Sequence, residues 1–70
     1  MMTGEKLRAV RALKRISQAA LSESSGVSET SIAEFERGMR DMRAANIVKL
    51  CTAMGVAVAY TVDGTQISGP

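Results

Sequence analysis

The spacing of apolar residues along the chain changes at Gly55. Before it, apolar positions recur every three or four residues, which is the period of amphipathic α-helices. The clearest set lies at i, i+3, i+4 and i+7 and consists of Ile47, Leu50, Cys51 and Met54. After Gly55, larger apolar residues alternate with smaller ones over 56–62, which is the period of a β-strand. The pattern predicts a mostly α chain with a strand-like end.

Residues that suit helix termini divide the helical part into four segments. Thr3 is a suitable N-cap for a first helix reaching about Lys14, and Met1 and Met2 before it are expected to be frayed. Ser17 and Ser28 suit the second and third helices, because a serine hydroxyl accepts from unpaired amides of the first turn. The fourth segment, 44–54, carries the clearest apolar face.

The stretch 17–37 predicts two short helices joined through Gly26, a residue that adopts left-handed backbone at little cost. Leu21 anchors the first helix, and Val27 fills the angle between the two. An ordinary helical hairpin in a small bundle has the same features. In a helix-turn-helix, by contrast, the second helix, 28–37, projects from the domain, which suits it to enter a DNA major groove.

The end of the chain predicts a strand or a hairpin over 56–67. Asp63-Gly64 is a strong hairpin signal, and the residues after it can return as a second strand. Because an isolated hairpin is only marginally stable in water, we expect the strand to pack on the helices or to pair across a dimer interface. With no linker or repeat, residues 1–70 are expected to form a single domain.

Composition limits the chemistry that the chain can perform. Hydrophobic residues make up 46% of it but aromatic residues only 3%, so the core must be aliphatic. The single cysteine, Cys51, excludes an internal disulfide and lies on an apolar helix face, as a core residue rather than a nucleophile. There is no histidine, no metal-ligand cluster and no phosphate-binding glycine loop. We therefore expect that the chain is not an enzyme and that it binds no metal or cofactor.

The chain is expected to be cytoplasmic and to have no membrane partner. No apolar run approaches the ~18 residues of a membrane span, and no signal-peptide pattern precedes the first helix.

Positive charge is clustered although the net charge is only +2. The first helix is basic, and both a solvated face and a phosphate-facing flank explain this. Its cations are Lys6, Arg8, Arg11, Lys14 and Arg15. A second group, Arg37, Arg40 and Arg43, brackets the loop after the third helix. Arginine matches phosphate geometry by bidentate hydrogen bonding, so this loop suits a DNA backbone.

Three segments resemble the phage-repressor-like helix-turn-helix family, the Xre/Cro type. They are GEKLRAVR, ISQAALSESSGVSETSIAEFERG and KLCTAMGV, within about 4–58. Gln18, Ser22, Gly26 and Ile32 occupy the positions where the family has glutamine, a small residue, glycine and an aliphatic residue. The resemblance implies a small helical lambda-repressor-like DNA-binding domain. Arg15 stands where the family often has glycine, so the loop after the first helix is expected to be strained.

The resemblance also implies roles for individual residues. The base-reading positions of the recognition helix are Ser28, Glu29, Thr30 and Glu34, with Ser31 a weaker candidate. The DNA backbone contacts are Gln18, Arg37, Arg40 and Arg43. The family further pairs an arginine of the first helix with a glutamate at the end of the recognition helix, and these are Arg11 and Glu36. Such a pair is worth little if exposed and more if partly buried.

Two functions remain open from the sequence. The first is a sequence-specific DNA-binding transcriptional regulator, a repressor that acts as a homodimer on a two-fold operator in double-stranded DNA. The second is a protein-interaction module, such as an antitoxin or phage accessory, which binds a partner protein. The acidic residues Glu29 and Glu34 motivate the second, because carboxylates repel phosphates. Carboxylates can also accept from cytosine N4, which keeps base reading open.

Overall fold

The computed structural model describes residues 2–56, and within them the chain forms four α-helices. They are α1 (Gly4–Leu13), α2 (Gln18–Ser25), α3 (Glu29–Glu36) and α4 (Ala44–Met54). The predicted mostly α fold is confirmed. The predicted strand or hairpin over 56–67 lies, after Val56, outside the described residues. None of the four described helices is long and apolar enough to span a membrane.

Three of the helices begin at the hydroxyl side chains predicted to cap them. Each hydroxyl accepts from an amide in the first turn and so satisfies a donor that has no partner within the helix. Thr3 accepts from the Lys6 amide at 3.1 Å, Ser17 from that of Ala20 at 3.0 Å, and Ser28 from that of Ser31 at 3.1 Å. Helix α4 begins after Arg43 without a side-chain cap. Local sequence therefore fixes where α3 starts.

Two left-handed residues shape the connections on either side of α2. Gly26 has φ of 80°, as the predicted turn requires. Arg15 has φ of 57° and is the one non-glycine residue of the described chain with positive φ. Since left-handed backbone costs an L-residue roughly 1–2 kcal/mol, the strain expected at this position is confirmed.

The core is aliphatic except for Phe35 and Cys51, close to what composition predicts. Helix α2 packs against α3 and α4, and α1 packs against α3. All four helices contribute fully buried side chains: Leu7, Leu21, Ile32, Ile47, Leu50 and Cys51. Val27 is buried in the turn between α2 and α3, and burial raises the pKa of the Cys51 thiol. Together these contacts hold α3 against the body of the domain.

The expectation that Met2 is frayed was wrong. Met2 is only 8% exposed and belongs to the hydrophobic core. A flexible methionine fills irregular gaps, and a core this small needs cover from the residues that precede α1. Close by, a Cβ on Gly4 would clash with the carbonyl oxygen of Phe35. The start of α1 therefore lies directly on the backbone at the end of α3.

Candidate DNA interface

Helix α3 has one buried side and one open side. Ile32 and Phe35 point into the core, whereas Glu29 and Thr30 are exposed. Ser28, which caps the helix, is exposed as well, and the Glu34 side chain is 31% exposed. The four residues predicted to read bases thus occur at the start and on the outer side of a single helix.

The end of α3 is attached to α1 by a bidentate ion pair. Arg11 Nε donates to Glu36 Oε2 at 2.8 Å, and Arg11 Nη2 donates to Glu36 Oε1 at 2.9 Å. A third donor of the same guanidinium, Nη1, bonds the Ile16 carbonyl at 2.9 Å. The Arg11 side chain is 17% exposed and that of Glu36 is 3% exposed. Arg11 therefore ties together α1, the α1–α2 loop and α3.

Gln18 opens α2 and joins the same cluster. Its Nε2 donates to Glu36 Oε1 at 3.0 Å, a contact that the sequence did not predict. An amide group has two N–H donors and a carbonyl acceptor, so this bond uses only part of its capacity. Gln18 is half-buried and thus keeps hydrogen-bonding capacity beyond this structural bond.

The electrostatics of this cluster favour the ionised pair. Burial alone would raise the pKa of Glu36, but the hydrogen bonds from Arg11 and Gln18 outweigh it and lower that pKa. Arg8 adds a smaller attraction in the same direction. The hydrogen bond to Glu36 raises the pKa of Arg11, against the opposing effect of its burial. The carboxylate is therefore satisfied by the protein itself.

An open groove of about 320 Å³ lies over this cluster. It is lined by Arg8, Arg11, Gln18, Ala33, Glu36 and Arg37. The sequence identified Arg8 only as one cation of a basic helix and did not place it in this groove. Its position three residues before Arg11, on the same helix face, could have indicated that the two line one surface. The groove brings the cations of α1 and the end of α3 to the start of α2.

A second ion pair lies on the open side of α3. Arg40 Nε contacts Glu34 Oε1 at 2.9 Å, with the two side chains 48% and 31% exposed. Arg40 Nη1 also donates to Ser31 Oγ at 2.8 Å, and Ser28 Oγ donates to the same Ser31 oxygen at 2.8 Å. Arg40, predicted from the sequence as a backbone contact, is thereby joined to two of the residues on the recognition helix. Arg37 and Arg43 are exposed.

Residues 2–56 form four helices, with α2 and α3 joined through the left-handed Gly26, and this arrangement is a helix-turn-helix domain of the lambda-repressor-like type. The helix-turn-helix family model HTH_3 matches residues 7–60, and the chain belongs to that family. A comparison with curated proteins gave no match.

Solved structures of regulators are similar to this chain. The restriction-modification controller protein C.AhdI from Aeromonas hydrophila is 38% identical, with a TM-score of 0.73, over 76% of this chain and 80% of that one. The clp gene regulator ClgR from C. glutamicum is 36% identical, with a TM-score of 0.75, over 80% and 72%. The P22 c2 repressor, crystallised with a synthetic operator, is 33% identical, with a TM-score of 0.74, over 91% and 97%. The chain is a DNA-binding transcriptional regulator of the helix-turn-helix family.

Proposed function

We propose that the protein is a homodimeric repressor that binds a two-fold operator, with α3 of each subunit in the major groove. The observation that carries this proposal is the position of α3 between two cationic regions. One is the groove lined by Arg8 and Arg37, and the other is the loop carrying Arg40 and Arg43. The similarity to the P22 c2 repressor in complex with an operator supports it. A dimer of this kind has its recognition helices about 34 Å apart.

In this proposal the open side of α3 reads base edges. Ser28 and Thr30 carry hydroxyl groups that donate or accept, and the Thr30 methyl suits contact with a thymine methyl. Glu29 and Glu34 accept from cytosine N4. Glu29 is exposed, and no salt bridge engages it within residues 2–56. It therefore has the greatest freedom to meet a base.

The proposed DNA backbone contacts lie at the start of α2, at the end of α3 and in the loop after α3. Gln18, Arg37, Arg40 and Arg43 are the proposed contacts, and Arg8 joins them through the groove that it shares with Gln18. Phosphate contacts fix the register of the protein on the duplex without carrying sequence information. Each arginine that neutralises a phosphate also adds to the salt dependence of binding, by about 0.9 in the slope of log affinity against log salt concentration.

Two regions are candidates for the dimer surface. One is the outward side of α4, where partly buried Val48 is flanked by exposed Ala45, Lys49 and Thr52 at helical spacing. The other is the strand predicted beyond Val56. A Val48→Glu variant discriminates between them, because a buried charge without a partner disfavours the first interface and leaves the second unaffected.

Selection of bound sequences from a random duplex pool at about 50 mM salt tests this function. We expect a two-fold motif whose half-sites lie about one helical turn apart. Thr30→Ala should then change which bases are preferred, whereas Arg43→Ala should weaken all sequences alike. Failure of the folded protein to enrich any sequence would reject the proposal.

A second candidate function is the binding of a partner protein through the acidic side of α3. The observation that favours it is exposed Glu29. The contact between Glu34 and Arg40 weakens it, because the charge of one of the two carboxylates is already balanced. Stable co-purification with a neighbouring gene product, together with no DNA affinity at low salt, would select this function instead.

A further inference from the structure

A continuous polar chain runs along the open side of α3. It starts at Ser28, passes through the hydroxyl of Ser31, crosses to the Arg40 guanidinium and ends at the Glu34 carboxylate. Its three links measure 2.8, 2.8 and 2.9 Å. Three of its members belong to the helix or its cap, while Arg40 comes from the loop after it. Arg40 therefore links two residues of α3, Ser31 and Glu34, from outside the helix.

The guanidinium suits this position for a geometric reason. Its donors are held in one plane, so bonding Ser31 through Nη1 and Glu34 through Nε fixes the separation of those two groups. A lysine has a single ammonium on a flexible stem and does not impose that separation. Both acceptors lie among the positions where base contacts are proposed. Arg40 thus controls how the helix presents its polar groups.

The same contact changes the charge that Glu34 presents. A free carboxylate on this side would repel the phosphates on either side of the groove. With Oε1 bonded to Arg40, the charge is balanced locally and Oε2 remains as an acceptor. Such an acceptor suits the N4 donor of cytosine.

We propose that Arg40 is a positioning residue that sets the base preference of Glu34 and Ser31, in addition to any contact it makes with phosphate. This inference rests on the proposed operator binding. It predicts that loss of Arg40 alters sequence preference, whereas a residue that contacts only phosphate alters affinity for all sequences equally.

The test compares dissociation constants for a selected operator and for duplexes carrying each single base-pair change. The pair read by Glu34 is the one whose preference changes in Glu34→Ala. Arg40→Ala should change the discrimination at that pair by about fivefold or more, which is the low end of the discrimination that a good base contact supplies. Arg40→Lys, which keeps the charge, should alter the preference in the same direction.

Two controls separate this role from others. Arg43 is exposed, flanks the same loop and makes no side-chain hydrogen bond that caps α4. Arg43→Ala should therefore weaken binding to all duplexes by one common factor. In a Glu34→Ala background, Arg40→Ala should no longer change the preference at that pair. Thermal unfolding of each variant verifies that the fold is retained.

The outcomes are distinguishable. If Arg40→Ala lowers affinity uniformly, as Arg43→Ala does, the positioning role is rejected while operator binding stands. If Arg40→Lys restores the wild-type preference, charge alone is responsible and the positioning role is rejected. If the wild-type protein prefers no sequence, the proposed function fails and this inference fails with it.

Discussion

Two arginine–glutamate pairs attach to the same short helix and differ in their surroundings. Arg11 and Glu36 join α1 to the end of α3, with side chains 17% and 3% exposed. Arg40 and Glu34 lie on the opposite, open side, with side chains 48% and 31% exposed. Both pairs have contacts near 2.8–2.9 Å. Distance alone therefore does not distinguish their roles.

Burial makes the difference. The Glu36 carboxylate is nearly removed from water, so loss of Arg11 would leave a desolvated charge with only Gln18 to satisfy it. Water and salt screen the Arg40–Glu34 pair, and either partner can be solvated when the other is lost. We infer that the partly buried Arg11–Glu36 pair, the inner pair, holds α3 in place. The exposed Arg40–Glu34 pair, the outer pair, is inferred to belong to the surface that meets DNA.

The largest expected effect is a difference between the two pairs in how much each contributes to the free energy of unfolding. Glu36→Ala leaves the partly buried Arg11 guanidinium without its partner and removes the acceptor of Gln18, so unfolding should become easier by about 3 kcal/mol. Urea unfolding followed by circular dichroism measures this. Glu34→Ala is the matched control on the open side and should change little. Equal losses in the two variants would contradict the assignment of roles.

The inner pair also predicts a pH dependence. The pKa of Glu36 is lower in the folded protein than its ordinary value of 4.5, so the folded state favours the ionised form. Its contribution is complete above the unfolded-state pKa and is lost as pH falls through the folded-state pKa.

Unfolding free energies measured from about pH 6 down to about pH 3 should therefore decrease, and more steeply in the wild type than in Glu36→Gln. Identical slopes would show that Glu36 does not couple folding to protonation.

A moderate effect is expected at the loop that supplies an acceptor to the inner pair. Arg15 has φ of 57°, and the next residue, Ile16, offers its carbonyl to Arg11. Arg15→Gly removes the steric strain but gives the unfolded chain more freedom, so we expect a net stabilisation of about 0.5–1 kcal/mol. An unfolding midpoint below that of the wild type would mean that the Arg15 side chain contributes more than its backbone strain costs.

The smallest effect on stability is expected for the outer pair. Arg40→Ala should change the free energy of unfolding by about 0.5 kcal/mol or less, as exposed ion pairs do. The change should become smaller still at about 0.5 M salt, because salt screens most of the attraction between exposed charges. A loss comparable to that of Glu36→Ala would remove the distinction between the two sides of α3.

The features that the sequence predicted are mainly local ones. The spacing of apolar residues predicted the helices, and Ser17, Ser28 and Gly26 marked the helix-turn-helix, because caps and turns depend on neighbouring residues. The proposed partners Arg11 and Glu36 came from the family resemblance. Their bidentate geometry and burial depend on how α1 packs on α3, which periodicity does not specify.

Long-range contacts of single polar side chains could not be predicted in this way. Gln18 meets Glu36 and Arg40 meets Ser31 only because helices and a loop pack in one particular arrangement. The burial of Met2 has the same origin, since nothing local to it indicates that the core lies within reach. The base-reading and backbone roles of the named residues stay proposals until DNA binding is measured.

The most direct test of the two-sided account of α3 is a magnetic resonance titration of the isotope-labelled protein with a selected operator duplex. We expect the backbone amides of Glu29, Thr30 and Glu34 and the Nε–H of Arg40 to shift on binding. The Nε–H resonance of Arg11 should keep its position, because Glu36 already accepts from it within the protein. Large shifts confined to α4, with the open side of α3 unchanged, would contradict the account.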